Sequence, residues 1–139
     1  MVDFASGDAA AAATGGVRTL LRLEGLALLA GATLCYAIWS WSWWSFAILF
    51  LAPDLSFAAY LAGSRAGAAV YNAAHSTLGP ILLSGIGVLL ISPQTLSVAM
   101  IWLAHIGFDR ALGYGLKYAA GFGFTHLGRI GKRAKTNWS

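Results

Sequence analysis

The sequence predicts an all-α polytopic membrane protein, with four antiparallel transmembrane helices in a small bundle and both termini cytoplasmic. Three observations carry this reading. Hydrophobic residues make up 58% of the 139-residue chain and charged residues only 10%, against about 25% charged in a soluble domain. Mean hydropathy is +0.69. The apolar residues also fall into four stretches, each close to the roughly 20 residues a helix needs to cross a bilayer at about 1.5 Å per residue.

In chain order, residues 1–17 are rich in Ala and Gly and have no basic stretch ahead of an apolar one. They read as a flexible cytoplasmic tail rather than a signal peptide. The transmembrane domain is expected over residues 18–118, with spans at about 18–38, 42–62, 66–91 and 93–114. The links Trp39–Trp41, Gly63–Arg65 and Ser92–Pro93 are short, and short links make neighbouring helices antiparallel. Residues 119–139 form a basic, Gly-rich tail.

Charge sets the orientation. The nine basic residues are Arg18, Arg22, Arg65, Arg110, Lys117, Arg129, Lys132, Arg133 and Lys135. With four spans they all fall on one side, which the positive-inside rule makes cytoplasmic. The predicted location is therefore a bacterial inner membrane, multi-pass. Trp39, Trp41, Trp43 and Trp44 crowd the first outer turn, where an aromatic belt belongs. The net charge of +4 is read as contact between the basic tail and anionic headgroups. No nucleic-acid motif, phosphate-cradling loop or nucleophile elbow is present, and a single cysteine, Cys35, excludes an intrachain disulfide and a CxxC metal motif.

The acids and histidines are the candidate chemistry. His105 and Asp109, four residues apart, share a helix face. Tyr71, His75 and Gly79 stack on another, with Asn72 at its margin. Asp54 follows Pro53, which lacks an N–H and frees a carbonyl one turn earlier. Counted from the cytoplasmic ends, Glu24, Asp54, His75, His105 and Asp109 lie at depths of about 6–15 Å. Four antiparallel helices thus bring their polar residues to one inner-half layer, where an ionisable group needs a partner. Glu24, Asp54, His75, His105 and Asp109 are candidate metal ligands suited to iron, zinc or manganese. His75 and His105 are candidate ligands to a haem, and either one alone to a bacteriochlorophyll. Tyr71, Asn72 and Arg110 are assigned to a structural polar network, with an ion pair expected between Asp54 and Arg110.

The segments Leu23-Glu24-Gly25, Ala52-Pro53-Asp54-Leu55-Ser56, Tyr71-Asn72-Ala73-Ala74-His75 and His105-Ile106-Gly107-Phe108-Asp109-Arg110, followed by Gly113-Tyr114-Gly115-Leu116-Lys117-Tyr118, resemble a family of small bacterial membrane proteins known as Domain of Unknown Function 4260. The resemblance covers roughly residues 18–133. It implies the four-span fold and supplies no activity.

Three functions fit. The first is a structural or accessory subunit of a larger membrane assembly, held together by the His/Asp/Glu layer, with other membrane subunits as partners. The second is a cofactor-binding membrane protein using that layer. The third is a proton-coupled carrier or channel, which four helices could form only as an oligomer.

Overall fold

The computed structural model describes residues 12–39, 42–119 and 122–130. Residues 1–11 of the expected N-terminal tail, Trp41 of the aromatic belt, and residues 131–139 with Lys132, Arg133 and Lys135 lie outside the described residues. The described residues are helical apart from one short hairpin and the connecting stretches around it. Helix α1 spans Gly15–Ile38 and α2 spans Trp43–Phe50. A 3-10 helix, Ala52–Ala62, continues α2. Next come α3 (Ser64–His75), α4 (Leu78–Leu89) and α5 (Pro93–Leu112). Strands β1 (Phe124–Thr125) and β2 (Gly128–Arg129) pair antiparallel. Two helical stretches, Gly15–Ile38 and Trp43–Ala62, are long and apolar enough to cross a membrane.

Helix α5 is the central element. Ser92 caps its start by accepting from the Thr95 N–H, and Pro93 occupies the first turn, where no N–H is needed. Gly113 ends it in a left-handed conformation at φ 93°. The Tyr114 N–H returns to the Asp109 carbonyl, closing the helix as a Schellman motif does. Ala99, Ile101, Ala104, His105, Ile106 and Gly107 are buried along it.

Helix α1 packs on α5 through small residues. A Cβ on Gly107 would sit 2.5 Å from the Leu29 nitrogen and 2.7 Å from the Gly25 oxygen, and a Cβ on Gly25 would sit 2.6 Å from the Arg110 Cβ. The backbones can approach this closely only where side chains are absent. At the far end, the Tyr36 hydroxyl donates to the Ser42 carbonyl at 2.7 Å.

The stretch expected to be one helix over 66–91 is two helices. Ser76 takes an extended conformation (φ −81°, ψ 141°) between α3 and α4. Pro80 cannot donate to the Ser76 carbonyl. The Trp102 indole donates to the Ala74 carbonyl at 2.6 Å, and the Leu78 N–H turns to the Ser76 hydroxyl. The Trp102 ring lies where a Gly79 side chain would be. The break is therefore satisfied by side chains and is a built feature.

After α5 the chain turns back. The Leu116 N–H donates to His126 Nδ1 at 2.8 Å, and the His126 N–H donates to the Leu116 carbonyl at 3.0 Å. Asn72 on α3 clamps Lys117 by donating to its carbonyl at 2.8 Å and accepting from its N–H at 2.7 Å. The hairpin end of the chain is thus fixed to the helices beside the polar layer.

Candidate metal centre

Both helix discontinuities fall next to a polar residue of the layer. In the 3-10 helix the Asp54 N–H bonds the Leu51 carbonyl at 3.1 Å, and Pro53 has no N–H to offer. Neither serves the Phe50 carbonyl, and the Phe50 ring stands edge-on to that of His105 at 5.1 Å between centroids. A 3-10 run of 11 residues is long for a conformation normally seen in three or four. His75 is the last residue of α3. His105 and Asp109 lie one turn apart on α5, on its face toward the 3-10 helix and α3.

These four residues converge. His75 Nε2 lies 3.1 Å from His105 Nε2, 3.5 Å from Asp54 Oδ1 and 3.3 Å from Asp109 Oδ2. His105 Nε2 lies 3.3 Å from Asp54 Oδ1 and 3.4 Å from Asp109 Oδ2. All four ligand atoms fall within 4.8 Å of one another. The two imidazoles are buried, the Asp109 side chain is 14% exposed and that of Asp54 is 39% exposed.

The His75 proton sits elsewhere. His75 Nδ1 is 2.9 Å from the Tyr71 carbonyl. A carbonyl only accepts, so Nδ1 carries the hydrogen and Nε2 presents a lone pair. His105 Nδ1 is buried with no hydrogen-bond partner, so no contact there fixes its tautomer. With the His105 hydrogen on Nδ1, two nitrogen lone pairs and two carboxylate oxygens meet. The Tyr71 hydroxyl donates to Asp109 Oδ2 at 3.4 Å, and its ring stacks on His75 at 3.8 Å between centroids. A tetrahedron with metal–ligand bonds of about 2.0–2.1 Å has edges of about 3.3–3.4 Å. Five of the six edges, 3.1–3.5 Å, bracket that value, and the sixth, between the two carboxylates, lies within 4.8 Å. A divalent cation would also cancel the two carboxylate charges, which a low-dielectric site favours.

The remaining expected residues are distributed differently. Glu24 is not at the cluster. It lines a separate cavity of about 240 Å³ with Arg110, His126 and Leu127. The expected Asp54–Arg110 pair is not formed: Asp54 meets the two histidines, and Arg110 has Glu24 as its acidic neighbour. Arg110 follows Asp109 by about 100° around α5 and so faces α1. Asn72 secures Lys117 as described. Burial pushes the His126 imidazole down, as does Arg110.

Lys117 is a site neighbour that the sequence reading did not assign. It is 4% exposed. Its ammonium donates to the Phe122 carbonyl at 2.9 Å and lies 3.7 Å from the Phe122 ring centroid and 4.7 Å from that of Tyr71. Burial holds it down to about 8, opposed by the charge of Asp109. Its return to Tyr71 depends on a long-range clamp, from Asn72 to its own backbone.

The family model for a domain of unknown function, DUF4260, matches residues 18–130, and the chain belongs to that family. No curated protein and no solved structure matches it.

Proposed function

We propose that this chain is a four-span integral membrane protein whose interior holds one divalent cation, of zinc type, between Asp54, His75, His105 and Asp109. One observation carries the reading: two imidazole Nε2 atoms and two carboxylate oxygens converge, five of their six separations at tetrahedral spacing, with the His75 proton turned away to the Tyr71 carbonyl. Without a cation, only a hydrogen on His105 Nε2 would stand between the His75 lone pair and two carboxylates in a mostly buried site. Two nitrogen and two oxygen ligands suit zinc, which favours four-coordinate tetrahedral sites.

The cation's role is structural in this reading. Four protein side chains complete the shell, the pattern of a closed site rather than a catalytic one with an open position. It ties the two discontinuous helical stretches to α5, which suits a small accessory subunit of a membrane assembly. A haem between His75 and His105 is less well supported. Two axial bonds of about 2 Å would hold the nitrogens about 4 Å apart with the macrocycle between them, whereas they lie 3.1 Å apart with both carboxylates in the gap. The four-span topology is supported by the apolar exterior, where residues such as Leu61, Leu82, Leu89 and Ile91 are more than two-thirds exposed.

The test is metal analysis of the purified full-length protein, with His75→Ala, His105→Ala and Asp109→Asn. We expect one zinc per chain in the wild type and loss of it in each variant. A wild type without stoichiometric metal after zinc loading overturns the reading.

A further inference from the structure

At the cytoplasmic end of the α1–α5 seam, two guanidinium groups meet over Gly113. A Cβ on Gly113 would lie 3.3 Å from an Arg18 terminal nitrogen and 3.8 Å from Arg22 Nε. Arg22 Nε donates to the Ala111 carbonyl at 2.9 Å, which satisfies one end carbonyl of α5. Arg18 Nε is buried with no hydrogen-bond partner. Among the described residues, no carboxylate pairs with either arginine. A buried, unpaired guanidinium N–H calls for an anion.

A groove of about 390 Å³ opens beside Arg22, the second member of this pair. Thr19 and Arg22 line one end, and Leu23, Leu26, Leu29 and Phe108 line its body. From Thr19 to Leu29 the helix rises about 15 Å at 1.5 Å per residue. That is half of a hydrocarbon core about 30 Å thick, the depth of one leaflet. The groove has a cationic head and an apolar body of single-leaflet length.

We propose that this groove is a specific site for one anionic phospholipid of the cytoplasmic leaflet, with its phosphodiester at Arg18 and Arg22 and an acyl chain along Leu23, Leu26, Leu29 and Phe108. Headgroup pockets of this kind form between helices on the cytoplasmic side of membrane proteins. The inference rests on the membrane-spanning reading above and is independent of the metal centre. The phosphate chemistry alone would also admit free inorganic phosphate; the length and apolarity of the groove favour the lipid.

The test is native mass spectrometry of the full-length protein in detergent with dioleoyl phosphatidylglycerol, dioleoyl phosphatidylcholine or inorganic phosphate. One phosphatidylglycerol should be retained per chain, at least about tenfold over phosphatidylcholine, as two basic side chains at an anionic headgroup imply. Arg18→Gln with Arg22→Gln should bring the two lipids to parity, and Arg18→Lys with Arg22→Lys should keep most of the preference. Leu26→Trp, which leaves both arginines and fills the groove, should lower phosphatidylglycerol retention. Zinc content is measured on the same samples and should not change, so loss of the lipid and loss of the metal are read separately. Equal retention of the two lipids by the wild type overturns the proposal. So does displacement of the lipid by inorganic phosphate at equal concentration, or undiminished retention in Leu26→Trp.

Discussion

Replacing Asp109 with asparagine separates a metal centre from a plain polar network. The substitution keeps the shape of the side chain and an oxygen able to accept from Tyr71, but removes one charge. In the metal-free protein the two carboxylates lie within 4.8 Å of each other. At an effective dielectric near 20 their repulsion is about 3 kcal/mol, so losing one of them relieves strain that a cation otherwise neutralises. In the metal-loaded protein the same change removes a ligand. Zinc present at 1,000 times its Kd should stabilise the wild type by about 4 kcal/mol over the chelated form, by mass action. For Asp109→Asn that difference should fall below about 1 kcal/mol under the same zinc concentration, since a weakened site is no longer saturated. The assay is equilibrium unfolding in detergent, with chelator and with zinc. A salt-bridged layer with no ion predicts otherwise: the variant loses about 3–5 kcal/mol whether or not zinc is present, because a buried partner is left uncompensated. An unchanged zinc-dependent difference in Asp109→Asn would refute the coordination argument.

Other expectations follow from the same geometry. Pro53→Ala restores an N–H that can pair with the Phe50 carbonyl, draws the 3-10 run toward a regular helix and so turns Asp54, and should weaken zinc binding about 10–100-fold while the protein still folds, as loss of the support around a ligand does; unchanged affinity in a zinc titration would count against the role of the 3-10 helix. Gly107→Ala forces a methyl group to within 2.5 Å of the Leu29 nitrogen and should cost about 1–3 kcal/mol by overpacking, read as a lower melting temperature. Lys117 binds its proton less tightly folded, at about 8, than unfolded, at 10.5. Between those values the unfolded chain holds more protons, so stability should rise with pH, by up to about 3 kcal/mol. Lys117→Met should flatten that rise in unfolding curves taken at pH 8 and pH 10. Reporter fusions at the two ends should both read cytoplasmic; an external readout at either end would break the four-span topology.

The site was partly legible because depth along a helix can be counted. His105 and Asp109 share a face by spacing alone, and Asp54 and His75 fall at matching depths. Rotation about each helix axis was not legible. Glu24 lies at a similar depth, but it is one residue, about 100°, from Gly25, and Gly25 is the residue against α5. Arg110 is turned from Asp109 by the same step, which is why it meets Glu24 and not Asp54. Pro53 and Pro80 marked both discontinuities. They could not say that the first is a 3-10 run or that the second stops α3 at His75, because Trp102 and Ser76 decide the second through contacts made only in the folded chain. The clamp between Asn72 and Lys117 joins residues 45 apart in sequence, beyond the reach of any periodicity.

On the membrane-spanning reading proposed above, the 3-10 run also bears on how the chain fits a bilayer. Each of its 11 residues advances about 2.0 Å instead of 1.5 Å, so the segment gains about 5 Å of reach. The stretch Trp43–Ala62, with 20 residues, therefore approaches the length of α1, with 24. Neighbours of unequal residue number acquire a common hydrophobic length without one of them tilting more than the other. Thinning or thickening the host bilayer should then act first on this extended segment, the element whose pitch has room to relax, and through Asp54 on the geometry at the two histidines. With the cation bound as proposed, acyl-chain length in reconstituted membranes would be a mechanical handle on its coordination sphere.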